Sequence, residues 1–220
     1  MLICGIKQTL PGVYEITPNA GSAFFLRSKY LSRVQEHQLV PFAYGRLDIS
    51  EEDKKNAKEG DSGFFNEEDS LDIMEASIIY SVELIAMRYL ARAEQYRFSL
   101  FNKLLKKGLN KNHINKVLDF LEEEDFLNDE RFAGAWLRTR AIDHFEGKNR
   151  LYGELFSRGV KNEAINNALN LFFSENSEEE ICYQAYSKFV KLGYNSEKLY
   201  SALFRAGFSV KNIKKVLNDK

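Results

Sequence analysis

A chain of 220 residues, 44% hydrophobic and 29% charged, has the composition of an ordinary globular protein, long enough for one large domain or several small ones. No apolar run approaches the ~18 residues that span a bilayer, and Met1–Lys7 lacks the basic and apolar regions of a signal peptide, so a cytoplasmic protein without membrane contact is expected. The net charge of −1 hides an asymmetry: residues 1–75 hold 8 Lys/Arg against 13 Asp/Glu, whereas residues 76–220 hold 23 against 19, enough to permit a basic face but not to establish one.

All three prolines, Pro11, Pro18 and Pro41, fall near the start of the chain, together with its best strand signals. Val13–Thr17 and Ala23–Leu26 flank the turn-rich Pro18-Asn19-Ala20-Gly21-Ser22, which predicts a β-hairpin. Ser50-Glu51-Glu52-Asp53 reads as a capped helix start. Glu59–Gly63 and the following Phe64-Phe65-Asn66-Glu67-Glu68-Asp69 read as a loop before the first long helix. Residues 1–72 are therefore expected as an acidic segment with a hairpin and a short helix.

Beyond residue 72 there is no proline, the apolar spacing is helical, and one pattern occurs three times. It reads Leu104, Gly108, Leu109, Ile114, Leu118; then Leu155, Gly159, Val160, Ile165, Leu169; then Leu203, Gly207, Phe208, Ile213, Leu217, with the glycines 51 and then 48 residues apart. Leucine pairs four apart precede each glycine, so each glycine suits the left-handed position that closes a helix. Asn110 and Ser209 stand where they would cap the next helix; in the second unit Lys161 holds that slot and Asn162 is the alternative cap. An earlier helix precedes each pair. The reading is a mainly α chain, an elongated curved array of three three-helix repeats over residues 73–125, 126–174 and 175–220. Ser177-Glu178-Glu179-Glu180 and Asn128-Asp129 punctuate the junctions as helix caps.

Catalysis finds little footing. Gly147-Lys148 lacks the rest of a phosphate loop, since Ile142 and Asn149 occupy the positions of its first glycine and its hydroxyl. His37, His113 and His144 are scattered, Cys4 and Cys182 have no ligand spacing and are expected as reduced thiols, and the acidic runs lack a calcium-loop pattern, so no enzyme activity, metal or cofactor is expected. The second helix of each glycine-centred pair is rich in Lys and Asn, which fits base reading but equally fits a solvated outer face. Trp136, four residues after Phe132, is expected to anchor the core at a junction between units. Around it Arg131, Arg138, Arg140, Lys148, Arg150 and Arg158 form a cationic strip suited to phosphate or to an acidic protein surface, which Lys103, Lys106 and Lys107 would extend.

Phe126-Leu127-Asn128-Asp129-Glu130-Arg131-Phe132-Ala133, followed by Trp136, Arg138, Arg140, Arg150-Leu151, Glu154-Leu155, Arg158-Gly159-Val160 and Ile165, resembles the signature of the regulatory protein RecX family. Ala86, Tyr89-Leu90, Arg97, Leu104, Lys107-Gly108-Leu109 and Ile114 extend the resemblance into the first unit; it covers residues 76–220. The resemblance implies a monomeric, non-catalytic modulator that binds the RecA recombinase and its filament on single-stranded DNA and inhibits filament growth, strand exchange, ATPase and coprotease activity, with at most weak direct DNA contact. A helical-repeat nucleic-acid binder acting without RecA is the alternative. Glu146-Gly147-Lys148 departs from the family's basic loop, and Arg205-Ala206-Gly207 replaces its common Lys-Gly.

Overall fold

The structure, a computed structural model, describes residues 1–40, 50–56, 58 and 63–218; Pro41 and the Glu59–Ser62 part of the expected loop lie outside them. The N-terminal hairpin is present with a further strand. β1 (Ile3–Leu10), β2 (Val13–Pro18) and β3 (Phe24–Arg27) form an antiparallel sheet in that order, with Ile6 opposite Ile16 and Tyr14 opposite Leu26. The additional strand escapes a reading by alternation because Gly5 and the polar Lys7-Gln8-Thr9 dilute it. Burial of Ile3, as complete as that of Ile16 and Leu26, compensates.

The helices are α1 (Glu51–Asn56), α2 (Glu67–Leu90), α3 (Arg97–Leu105), α4 (Lys111–Glu123), α5 (Asp129–Asp143), α6 (Lys148–Ser157), α7 (Asn162–Glu175), α8 (Glu178–Lys191), α9 (Ser196–Arg205) and α10 (Val210–Asn218). The last nine make three triplets, the three-helix repeats. Residues 66–69, expected as loop, instead start α2: the Asn66 side chain accepts from the Asp69 N–H at 2.9 Å, and Glu67, Glu68 and Asp69 fill the positive first turn. The helix consequently runs through residue 72.

Gly108, Gly159 and Gly207 adopt φ of 77°, 86° and 90°. At the last two, paired hydrogen bonds close the turn: Gly159 to Phe156 and Val160 to Leu155, then Gly207 to Phe204 and Phe208 to Leu203. The leucine pairs before them, Leu100/Leu104, Leu151/Leu155 and Leu199/Leu203, are all buried. Lys161, not Asn162, is the N-cap of α7, and its side chain makes no capping bond.

The chain divides into two compact units, residues 1–89 with 103–123, and residues 90–102 with 124–220. In the first, two buried acids of α2 tie down the N-terminal segment. Asp72 accepts from the backbone N–H groups of Ser32, Arg33 and Val34, and Glu83 from Arg27 at 2.8 Å and from the Tyr30 hydroxyl at 2.8 Å. Burial pulls the Asp72 carboxyl up, yet the Ser32, Val34 and Arg33 hydrogen bonds outweigh it and hold the group below its usual range. The second unit has two apolar clusters, one centred on Leu155, Ile165 and Leu169, the other on Leu203, Phe208 and Ile213, with Ile181 packed against both. Cys182 sits in the latter, where burial and then Glu178 and Glu179 push its thiol up to about 12. Cys182 is buried and Cys4 only partly so; both are free thiols.

A candidate partner-binding face on the second repeat

Within the second unit, adjacent repeats meet through a junction that occurs twice, 49 residues apart. Asp129, the first residue of α5, accepts from the Arg97 N–H at the start of α3 (2.7 Å) and from the Lys161 N–H before α7 (3.3 Å). Glu178, the first residue of α8, accepts from the Lys148 N–H at the start of α6 (3.0 Å) and from the Asn212 amide on α10 (3.1 Å). Each carboxylate thus meets an orphan donor of a helix in the preceding repeat. Tyr96 packs into the second repeat's core and Phe145, its equivalent, into the third's. Asn128 and Ser177 act as the expected caps, accepting from Arg131 and Glu180. The reach of Asp129 and Glu178 into the preceding repeat carries no local sequence signal; what the two share is their place as the first residue of the helix that opens a repeat.

Gly147 and Gly207 belong to the second of these junctions. The Gly147 N–H donates to the Ala206 carbonyl (2.8 Å), the Asn149 N–H to that of Gly207 (3.2 Å), and a Cβ on Gly207 would lie 2.4 Å from the Arg150 backbone nitrogen. Similarly, a Cβ on Gly159 would lie 2.8 Å from the Phe98 ring. Gly108 meets nothing within 4 Å, so only its conformation requires glycine.

The residues expected as one cationic strip fall into different settings. Arg131 closes the α4–α5 turn, donating to Glu94 (2.6 Å) and to the carbonyls of Asp125 and Phe126. Its hydrogen bond to Glu94 raises its pKa. Lys148 reaches Asn170 at 2.9 Å. Arg140, Arg150 and Arg158 surround Glu146 and Glu154: Arg140 grips Glu146 through two nitrogens at 2.7 and 3.0 Å and touches Glu154, Arg150 pairs with Glu146 at 2.6 Å, and Arg158 lies 3.9 Å from Glu154. The Arg140 and Arg158 guanidiniums lie 5.7 and 5.4 Å from the Trp136 ring centre. Trp136 is only partly buried, one face on the second repeat's core. Burial raises the Glu146 carboxyl, but Arg140 and then Arg150 hold it below the usual range, and the same hydrogen bond raises Arg140. Glu146, the departure noted in the sequence, is therefore the anchor of this cluster. Arg138 is exposed beside Gly134. Lys103, Lys106 and Lys107 belong to the first unit, where the Lys103 amine lies 5.6 Å from the Tyr89 ring. The arrangement offers an aromatic face edged by arginine with a small cationic excess, chemistry suited to recognition.

Helical triplets joined by repeated junctions define a helical-repeat protein whose middle repeat bears the arginine-rich face. The model for the second three-helix domain of RecX matches residues 128–169. The regulatory protein RecX of Treponema pallidum (strain Nichols) is 38% identical over 138 residues, 63% of this chain and 84% of the relative. That of Caldanaerobacter subterraneus subsp. tengcongensis is 30% identical over 133 residues, 60% of this chain and 67% of the relative. A crystal structure of regulatory protein RecX superposes with a TM-score of 0.68 at 16% identity, covering 99% of this chain and 98% of that one. RecX from Lactobacillus salivarius gives 0.58 at 20%, covering 66% and 97%. The two structures establish likeness of fold. The chain belongs to the RecX family of regulatory proteins. No helix among the described residues is long and apolar enough to cross a membrane.

Proposed function

We propose that this chain binds the RecA recombinase and the RecA–single-stranded DNA filament and inhibits its recombinase, ATPase and coprotease activities, without catalysis of its own. The observation that supports the reading best is the placement of Trp136, Arg138, Arg150 and Arg158 in and beside the face of the one repeat that the RecX domain model matches. Arg138 and Arg158 contact the partner, while Arg131 and Arg140 hold the local fold. Purified protein added to RecA on single-stranded DNA with ATP is expected to suppress ATP hydrolysis and strand exchange at substoichiometric ratios. The double reversal Arg138→Glu with Arg158→Glu should weaken that effect by about tenfold or more with unchanged helicity. No effect of the unaltered protein on the cognate recombinase overturns the reading. Binding to DNA alone, steeply dependent on salt and without effect on RecA, would instead identify a nucleic-acid binder acting independently.

A further inference from the structure

We propose that a second site, at the junction of the second and third repeats, binds a nucleoside phosphate in a cavity where Arg150, Lys188 and Arg205 converge beside the aromatic walls of Phe145, Phe189 and Tyr194. The cavity measures about 340 Å³, near the lower end of the ~300–1,000 Å³ typical of small-ligand sites, which is the scale of one nucleotide and not of a helix. Three cations line it against a single carboxylate, Glu146, which Arg140 and Arg150 already neutralise. Lys188 and Arg205 have no carboxylate partner among the described residues. The Lys188 amine lies 5.7 Å from the Phe145 ring, and the Arg205 Nε donates to the Ser201 carbonyl at 3.2 Å.

The repeats place their cations differently at the two junctions. At the preceding junction the positions of α3, α5 and α6 that match Arg150, Lys188 and Arg205 hold Ser99, Thr139 and Ser157, while those that match Phe189 and Ala206 hold Arg140 and Arg158. Arg150, Lys188 and Arg205 are therefore particular to the second junction, where Phe145, Phe189 and Tyr194 stand beside them. Phosphate suits these cations because guanidinium and ammonium groups supply several charge-assisted donors to non-bridging oxygens. A planar base suits the remainder: Phe189 and Tyr194 stack in parallel, with ring centres 5.4 Å apart at an angle of 4°, and the small Ala185, Ala202 and Ala206 complete the lining. An acidic peptide would satisfy the cations but leave those walls unused.

The site shares Arg150 with the face proposed for RecA but not Lys188, Arg205 or Tyr194, so its test survives the failure of that reading. Calorimetry on the full chain with AMP, adenosine, inorganic phosphate and a 12-residue oligothymidylate tests it. AMP or the oligonucleotide is expected to bind more tightly than adenosine or phosphate. The double variant Lys188→Gln with Arg205→Gln should lose about tenfold or more in affinity, and Tyr194→Leu should weaken nucleotide without weakening phosphate. These three residues are exposed, so circular dichroism should show the fold intact. Binding of AMP identifies a free nucleotide as the ligand, whereas binding of the oligonucleotide alone identifies a unit of a single strand; either supports the site when the variants lose it. Absence of binding, affinity untouched by the double variant, or preference for a polyglutamate peptide overturns it.

Discussion

Asp129 shows how much one side chain can hold in this fold. It is buried, it accepts backbone hydrogen bonds at the starts of two helices, and both of those donors would otherwise lack a helical partner. Asp129→Ala should therefore cost about 2–3 kcal/mol, a value typical of stranding buried polar groups, whereas the half-exposed Glu178→Ala should cost about 1 kcal/mol. Urea denaturation of the two variants measures the difference. The glycines separate in the same way. Gly108→Ala incurs only the strain of a left-handed alanine, about 1–2 kcal/mol. Gly207→Ala adds a collision with the Arg150 backbone and should melt several degrees lower than Gly108→Ala.

At the scale of elements, the α5–α6 loop brings Glu146 between arginines of both helices. Its carboxyl titrates lower in the folded chain than in the unfolded one, so it contributes stability that is present above the unfolded value and lost as pH falls through the lower, folded value. Acid titration of the unaltered protein should show this loss, and Glu146→Gln should lack that component while being less stable at neutral pH. The repeats, their closing glycines and the buried leucine pairs were legible because period and glycine placement are local properties. The start of α2 was misread because acids after Asn66 suggest loop as readily as helix until the cap bond is seen. Similarly, the arginine strip was legible only in part. The i,i+4 spacing of Glu146, Arg150, Glu154 and Arg158 allows their pairing to be read along the chain, but the grip of Arg140 on Glu146 and Glu154 from the preceding helix is not revealed by spacing.

On the scale of the molecule, the second unit is held together by carboxylates lent from each repeat to the one before it and by aromatics lent to the one after it. Removing residues 176–220 would strip the Lys148 and Asn149 N–H groups of Glu178 and Gly207. Hydrogen exchange at these amides should accelerate at least tenfold in the shortened chain, and much less within α7, whose core contacts remain.

That lending has a consequence for the order in which the chain is made. Lys148 leaves the ribosome 30 residues before the acid that completes its helix, which is a delay of seconds at ~5–20 residues per second. During that interval the second repeat is synthesised but unfinished, with Gly147 providing no side-chain cap of its own. The third repeat is released from the same wait, because Asn195 caps α9 from within, accepting from the Lys198 N–H at 3.1 Å. Nascent chains are thus expected to be most open to proteases and chaperones between the emergence of α6 and that of α8.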